Sequence, residues 1–196
     1  MSRGLGDVYK RQGLGHAVLC ARPVVGNAPF FVHLADDLID AETPALKQMR
    51  DVFEEHHASV LGVEPVPADE TDKYGIIDAD SSGDRLSRLK GIVEKPNPAD
   101  APSRYAVVGR YILTPRIFDH LAGTQAGTGG EIQLTDAIAS LMAEEPVYGY
   151  EFEGTRFDCG SKRGYLEAGV HFGLRHPEFG SAFRDSLRRM VDEADS

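Results

Sequence analysis

Ala28-Pro29-Phe30-Phe31-Val32-His33-Leu34-Ala35-Asp36-Asp37 is a short apolar run that stops on two carboxylates. So compact a run predicts a buried strand over 28–35, since a strand covered on both faces needs no polar alternation. The period then changes. Thr43-Pro44 is a helix-start signal, with Thr43 as N-cap and Pro44 at the first helical position. Leu46, Met49, Val52 and Phe53 follow at helical spacing, and Ser59–Val66 is β-branched and reads as the next strand. Strand, helix, strand is the rhythm of an α/β fold with a largely parallel or mixed sheet. In such sheets ligands sit at the carboxyl ends of strands, where Asp36 and Asp37 fall.

The same rhythm continues toward the C-terminus. Tyr74–Asp78 and Leu86–Glu94 read as strands joined through the turn-rich Asp80-Ser81-Ser82-Gly83. After the Pro-rich loop Pro96–Pro102, Tyr105–Leu113 is a strand and Thr114-Pro115 starts a short helix over Arg116–Leu121. Gly123–Gly130 carries four glycines and is expected to be mobile. Glu131–Ala143 reads as an amphipathic helix, Val147–Phe152 as a strand, and Ser161–Arg175 and Phe179–Val191 as the closing helices. No internal repeat is present.

Composition narrows the function. At 196 residues, 41% apolar and 27% charged, the chain suits one soluble globular domain. No run is long enough to span a membrane and no secretory signal is evident, so a cytoplasmic location is expected. A net charge of −10 argues against nucleic-acid binding, which needs clustered cations, but leaves an anionic small molecule open. Cys20 and Cys159 lack metal or redox spacing and are expected to be reduced and buried. The histidines lack metal spacing on any one helix face and read as structural.

Several positions could carry chemistry, each with a plainer alternative. Asp36 and Asp37 suit magnesium, a hard cation that prefers oxygen, or a solvated loop. Glu94-Lys95 ends a strand; the carboxylate can accept from vicinal hydroxyls and the ammonium can meet a phosphate, or the two form an exposed ion pair. Neighbours on a strand point to opposite faces, so both reach one ligand only if the chain bends there, which Pro96 favours. Asp158 is a second candidate ligand or the cap of the following helix. Gly75, inside a strand, marks a bulge or a close approach. Gly13-Leu14-Gly15-His16 is a weak glycine loop without Walker or dinucleotide spacing.

Residues 1–12 form a segment apart. Asp7-Val8-Tyr9-Lys10-Arg11-Gln12 is the in-frame translation of GATGTGTATAAGAGACAG, a transposon end used in sequencing-library preparation. The division expected is therefore a non-native 1–12 followed by a partial domain with C-terminal helices over 13–196.

Taken in order, GLGHAVLCA from Gly13, Leu34-Ala35-Asp36-Asp37, Tyr74-Gly75-Ile76-Ile77, Val93-Glu94-Lys95-Pro96, Val108-Gly109-Arg110-Tyr111, GEIQLTDA from Gly130 and Asp158-Cys159-Gly160-Ser161-Lys162 resemble the bacterial UTP–glucose-1-phosphate uridylyltransferases. The resemblance runs from Gly13 to about Arg184. It implies a Rossmann-like nucleotide-diphospho-sugar transferase fold with a mixed sheet, and a magnesium-dependent transfer from UTP to glucose 1-phosphate that yields UDP-glucose. It implies magnesium on Asp36 and Asp158, with Asp36 and Lys95 catalytic. Gly13 would lie near the base, Gly75 against the sugar ring, Glu94 on the sugar hydroxyls, Lys95 beside the sugar phosphate, and Val107 on the sugar through its backbone. The family's Gly-x-Gly-Thr-Arg phosphate loop, its strand and its base-reading glutamine have no counterpart here. The chain is thus expected to be an inactive piece of an active, homo-oligomeric parent. A thymidylyl enzyme and a non-catalytic paralogue that modulates enzyme oligomers are the alternatives.

Overall fold

The computed structural model describes residues 13–80, 85–125, 127 and 130–194. Residues 1–12 lie outside it, as do 81–84 of the expected turn and 126, 128 and 129 of the glycine-rich stretch. The chain forms two compact units, one from Met1–Leu34 and Thr43–Glu153, the other from Ala35–Glu42 and Gly154–Ser196.

The first unit is built on six strands: β1 (Phe30–His33), β3 (Ser59–Pro65), β4 (Gly75–Ala79), β5 (Leu86–Glu94), β6 (Tyr105–Leu113) and β7 (Val147–Glu151). Their order is β1-β6-β3-β7-β5-β4, and β4 also pairs with β6. Among the described residues only β3 and β7 run parallel, so the sheet is mixed. The long strand β6 makes this possible. One edge of it carries β3, while the other is shared by β1 at Arg110–Leu113 and by β4 at Ala106 and Val107.

The helices of this unit are α1 (Leu14–Cys20), α2 (Arg22–Val25), α3 (Ala45–His56), α4 (Ile117–Gly123) and α5 (Leu134–Leu141). Helix α5 turns Leu134, Ala137, Ile138 and Leu141 into the core beside Leu61, Val63, Ile77 and Phe118. Burying each such large side chain is worth about 1.5–3 kcal/mol. Met49 of α3 packs with Val60 and Ile112 in a second cluster. Buried Gln48 ties α3 to the end of β7, donating to Glu153 O at 2.9 Å and accepting from Glu153 N at 2.8 Å.

The second unit pairs β2 (Asp37–Asp40) with β8 (Thr155–Asp158), antiparallel, Asp37 opposite Asp158. Asp37 and Arg156 form an ion pair with both side chains more than nine-tenths buried, which locks the register of this short ladder. Helix α6 (Lys162–Leu174) follows, capped by Ser161, whose Oγ accepts from Gly164 N at 3.0 Å, and α7 (Gly180–Ala194) ends the described chain. Among the described residues no helix is long and apolar enough to cross a membrane.

Four expectations are corrected. The strand expected over 28–35 covers only Phe30–His33 and is not buried on both faces. It is an edge strand whose Phe31 is 47% exposed, because β1 has a partner on one side only. Cys20 is exposed and Cys159 half-buried. Pro44, not Thr43, holds the N-cap position of α3, with no side-chain cap. The helix expected from Glu131 begins at Leu134, since Ile132 O is taken by Gly15 N at 3.0 Å and Gln133 is extended.

Candidate functional site

Strands β5, β4 and β6 bring three of the candidate residues to one level. Gly75 pairs with Glu94 on one side and with Val107 on the other. The ladder is regular there; the bulge of β4 lies between Asp78 and Ala79. Gly75 is therefore not a bulge glycine. A Cβ added to it would stand 2.8 Å from Thr135 Cγ2 and 3.4 Å from Glu94 Oε2, so the close approach made at this glycine is that of helix α5.

Strand β5 ends at Glu94, and Lys95 takes a left-handed backbone, φ 46°, with its N–H on Tyr74 O at 3.0 Å. An L-residue pays about 1–2 kcal/mol for that conformation. A residue before proline is also confined by the proline ring. The effect of the turn is to cancel the strand alternation. Lys95 Nζ comes within 3.9 Å of Glu94 Oε1, so anion and cation share one side. Glu94 is 25% exposed and Lys95 59%, the first anchored, the second reaching into solvent.

Thr135 was not legible as a site residue. It is buried, yet its Oγ1 donates to Glu94 Oε2 at 2.9 Å. The available signal was a hydroxyl beside Leu134 on the inward face of an amphipathic helix, a place where a polar group needs a partner.

In the second unit Asp36 lies in the turn before β2 and Asp158 at the end of β8. Cys159 N donates to Asp36 O at 2.7 Å, which holds the two ends together. Both carboxylates converge on Gly160: a Cβ there would be 3.0 Å from Asp158 Oδ1 and 3.3 Å from Asp36 Oδ2. The two oxygens are thus no farther apart than the sum of those distances. Asp158 does not cap α6; Ser161 does, while Asp158 Oδ1 accepts from Gly160 N at 3.0 Å. Among the described residues there is no cluster of three or more His, Cys, Asp or Glu suited to a metal. A pair of carboxylates alone matches magnesium, which commonly takes one or two and completes its shell with water and substrate phosphate.

Gly13 has φ 118°, and a Cβ on it would stand 2.8 Å from Ile132 O and 2.9 Å from Glu131 Cβ. Gly15 meets the same Ile132 carbonyl. Packing of the 131–132 segment over the start of α1 is enough to require both glycines. His171 sits against Asp40 at 2.6 Å, and its ring packs at a tilt against Phe157, centroids 4.6 Å apart.

The nucleotidyl transferase family model matches residues 6–172. A UTP--glucose-1-phosphate uridylyltransferase of Bacillus subtilis (strain 168) is 48% identical, the match covering 93% of this chain and 63% of that protein. The fold resembles the crystal structure of UDP-glucose pyrophosphorylase complexed with UDP-glucose, with a TM-score of 0.81 and 42% identity over 85% of this chain and 65% of that one. A putative glucose-1-phosphate thymidylyltransferase from Bacillus anthracis shares the fold alone, at TM-score 0.67 and 20% identity over 82% of this chain and 61% of that one. The chain spans less than two thirds of the length of these relatives.

Proposed function

Because the chain belongs to the nucleotidyl transferase family, we propose that it carries the sugar-binding and metal-binding residues of a protein that transfers a uridylyl group from UTP to glucose 1-phosphate. The observation that supports this most is the level shared by Glu94, Gly75 and Val107, with Lys95 turned onto the side of Glu94. A carboxylate anchored at one oxygen and an exposed ammonium beside it suit a phosphorylated sugar: hydroxyls donate to Glu94, and the phosphate meets Lys95. The Gly75 backbone lies against the ring, the Val107 backbone borders it, and Gly13 approaches the base.

In the reaction a phosphate oxygen of glucose 1-phosphate attacks the α-phosphorus of UTP in line. The bond to the pyrophosphate oxygen breaks as the new P–O bond forms. The protein's work in such a step is positioning and neutralisation rather than covalent chemistry. Lys95 holds the attacking phosphate and offsets its charge. Asp36 and Asp158 would hold magnesium, which when bound supplies charge neutralisation on the phosphate oxygens. A thymidylyl donor draws support from fold likeness alone. Residues 1–12 as a non-native, adapter-derived segment, a cytoplasmic location and homo-oligomeric assembly of the full-length parent belong to the same proposal.

The test is calorimetric titration of UDP-glucose into this chain and into Glu94→Gln and Lys95→Ala. Each substitution is expected to weaken binding at least about tenfold, the value of one charge-assisted contact. Binding equal to the unsubstituted chain in both would overturn the assignment.

A further inference from the structure

The Glu94 carboxylate is held by an element remote in sequence. Thr135, on the first turn of α5, donates its hydroxyl to Oε2 at 2.9 Å, across 41 residues. Its methyl carbon occupies the space over Gly75, where a Cβ would come within 2.8 Å of it. The residue is 7% exposed. One oxygen of Glu94 is thereby committed to the protein, and the other, Oε1, lies on the Lys95 side, 3.9 Å from Nζ.

We infer that Thr135 is a positioning residue for sugar recognition, orienting Glu94 so that Oε1 meets the hydroxyls of the hexose while Lys95 meets its phosphate. This rests on the assignment of Glu94 to the sugar. The physical ground is rotational. A glutamate χ3 torsion is broad and roughly two-fold, so an unrestrained carboxylate spins between equivalent orientations. A single donor to one oxygen removes that freedom before the ligand arrives, and a preorganised acceptor binds more tightly than one ordered on binding. Helix α5 supplies the rigidity. Leu134, Ala137, Ile138 and Leu141 lock it into the core, so the hydroxyl is carried by a packed element rather than a loop. The methyl has a separate task, filling the groove that Gly75 leaves open.

Two substitutions separate the tasks. Thr135→Val keeps the shape and removes the donor; Thr135→Ser keeps the donor and removes the methyl. With UDP-glucose as the calorimetric probe and circular dichroism confirming the fold, Thr135→Val is expected to bind about tenfold more weakly, one charge-assisted hydrogen bond. Thr135→Ser is expected to stay within about threefold, since its donor remains. A merely structural threonine would reverse this order, because valine is the closer match in volume. Equal affinity of Thr135→Val and the parent chain overturns the inference. If the parent chain itself fails to bind UDP-glucose, the sugar assignment of Glu94 falls. The hydroxyl–carboxylate coupling is then decided by a double-mutant cycle of Thr135→Val with Glu94→Gln on urea unfolding. Additive effects there overturn the positioning of Glu94 by Thr135 as well, and non-additive ones support that positioning while its sugar role falls with the assignment.

Discussion

Replacing Gly75 by alanine tests how tightly helix α5 is pressed onto the sheet. The new Cβ would stand 2.8 Å from Thr135 Cγ2, closer than real Cβ atoms come to any neighbour, while Glu94 Oε2 at 3.4 Å and Ile92 Cδ1 at 3.7 Å leave ordinary room. Only the threonine methyl conflicts. Helix α5 then lifts, or Thr135 rotates and takes its hydroxyl off Glu94. Overpacking of this kind costs about 1–3 kcal/mol, partly offset by the roughly 0.4–1 kcal/mol that alanine gains over glycine through the unfolded chain. Thr135→Ser alone deletes one buried methyl, at about 0.5–1.5 kcal/mol. Combined, the two changes move a methyl from helix to strand and leave the total volume the same. Gly75→Ala/Thr135→Ser is therefore expected to unfold within about 1 kcal/mol of the parent, clearly better than the sum of the single losses. Urea unfolding of the four proteins, followed by circular dichroism, measures this. A double variant that simply adds the two losses, or a Gly75→Ala protein as stable as the parent, would refute the packing argument.

Lys95→Gly should uncouple stability from binding. Relief of the left-handed strain, about 1–2 kcal/mol, against glycine's entropic cost of roughly 0.5–1 kcal/mol, leaves stability unchanged or slightly raised, while UDP-glucose affinity drops; a clear loss of stability in urea would contradict the strain. Asp158→Asn keeps an acceptor for Gly160 N but removes a negative ligand. It is expected to fold normally and to lose the electron-spin-resonance signature of bound manganese, used as a probe for magnesium; retained manganese binding would remove Asp158 from the metal site. Burial pushes the Tyr150 phenol above its ordinary value of 10.0, with Arg85 pulling it part of the way back. The neutral form is favoured in the fold, so this stabilisation is complete below pH 10.0 and is lost as pH rises through the folded value above it. Tyr150→Phe should flatten the alkaline fall of stability relative to the parent; superimposable curves would count against it.

Local patterning suffices for the α/β class, for the expectation of a mixed sheet and for most of the elements of the first unit. Leu86–Glu94 and Tyr105–Leu113 are strands over the very residues their patterns mark, because apolar periodicity bounded by turn residues and prolines is a local signal. Glu94, Lys95, Asp36 and Asp158 were also legible as residue types suited to a sugar phosphate and a hard cation. Where those groups lie relative to one another within each unit is a matter of tertiary structure. The left-handed turn at Lys95, which places ammonium and carboxylate on one side, has no sequence marker beyond the following proline. Strands β2 and β8 went unread because each has only four residues and is defined by the other, across the 119 residues that separate Asp37 from Arg156. Gly75 read as a bulge or a ligand contact, and only the packed helix shows the methyl that fills its vacant side. Thr135 escaped for the same reason. A hydrogen bond spanning 41 residues is set by how a helix docks on a sheet, and docking depends on the volumes and partners of many side chains at once, which no local window of sequence contains.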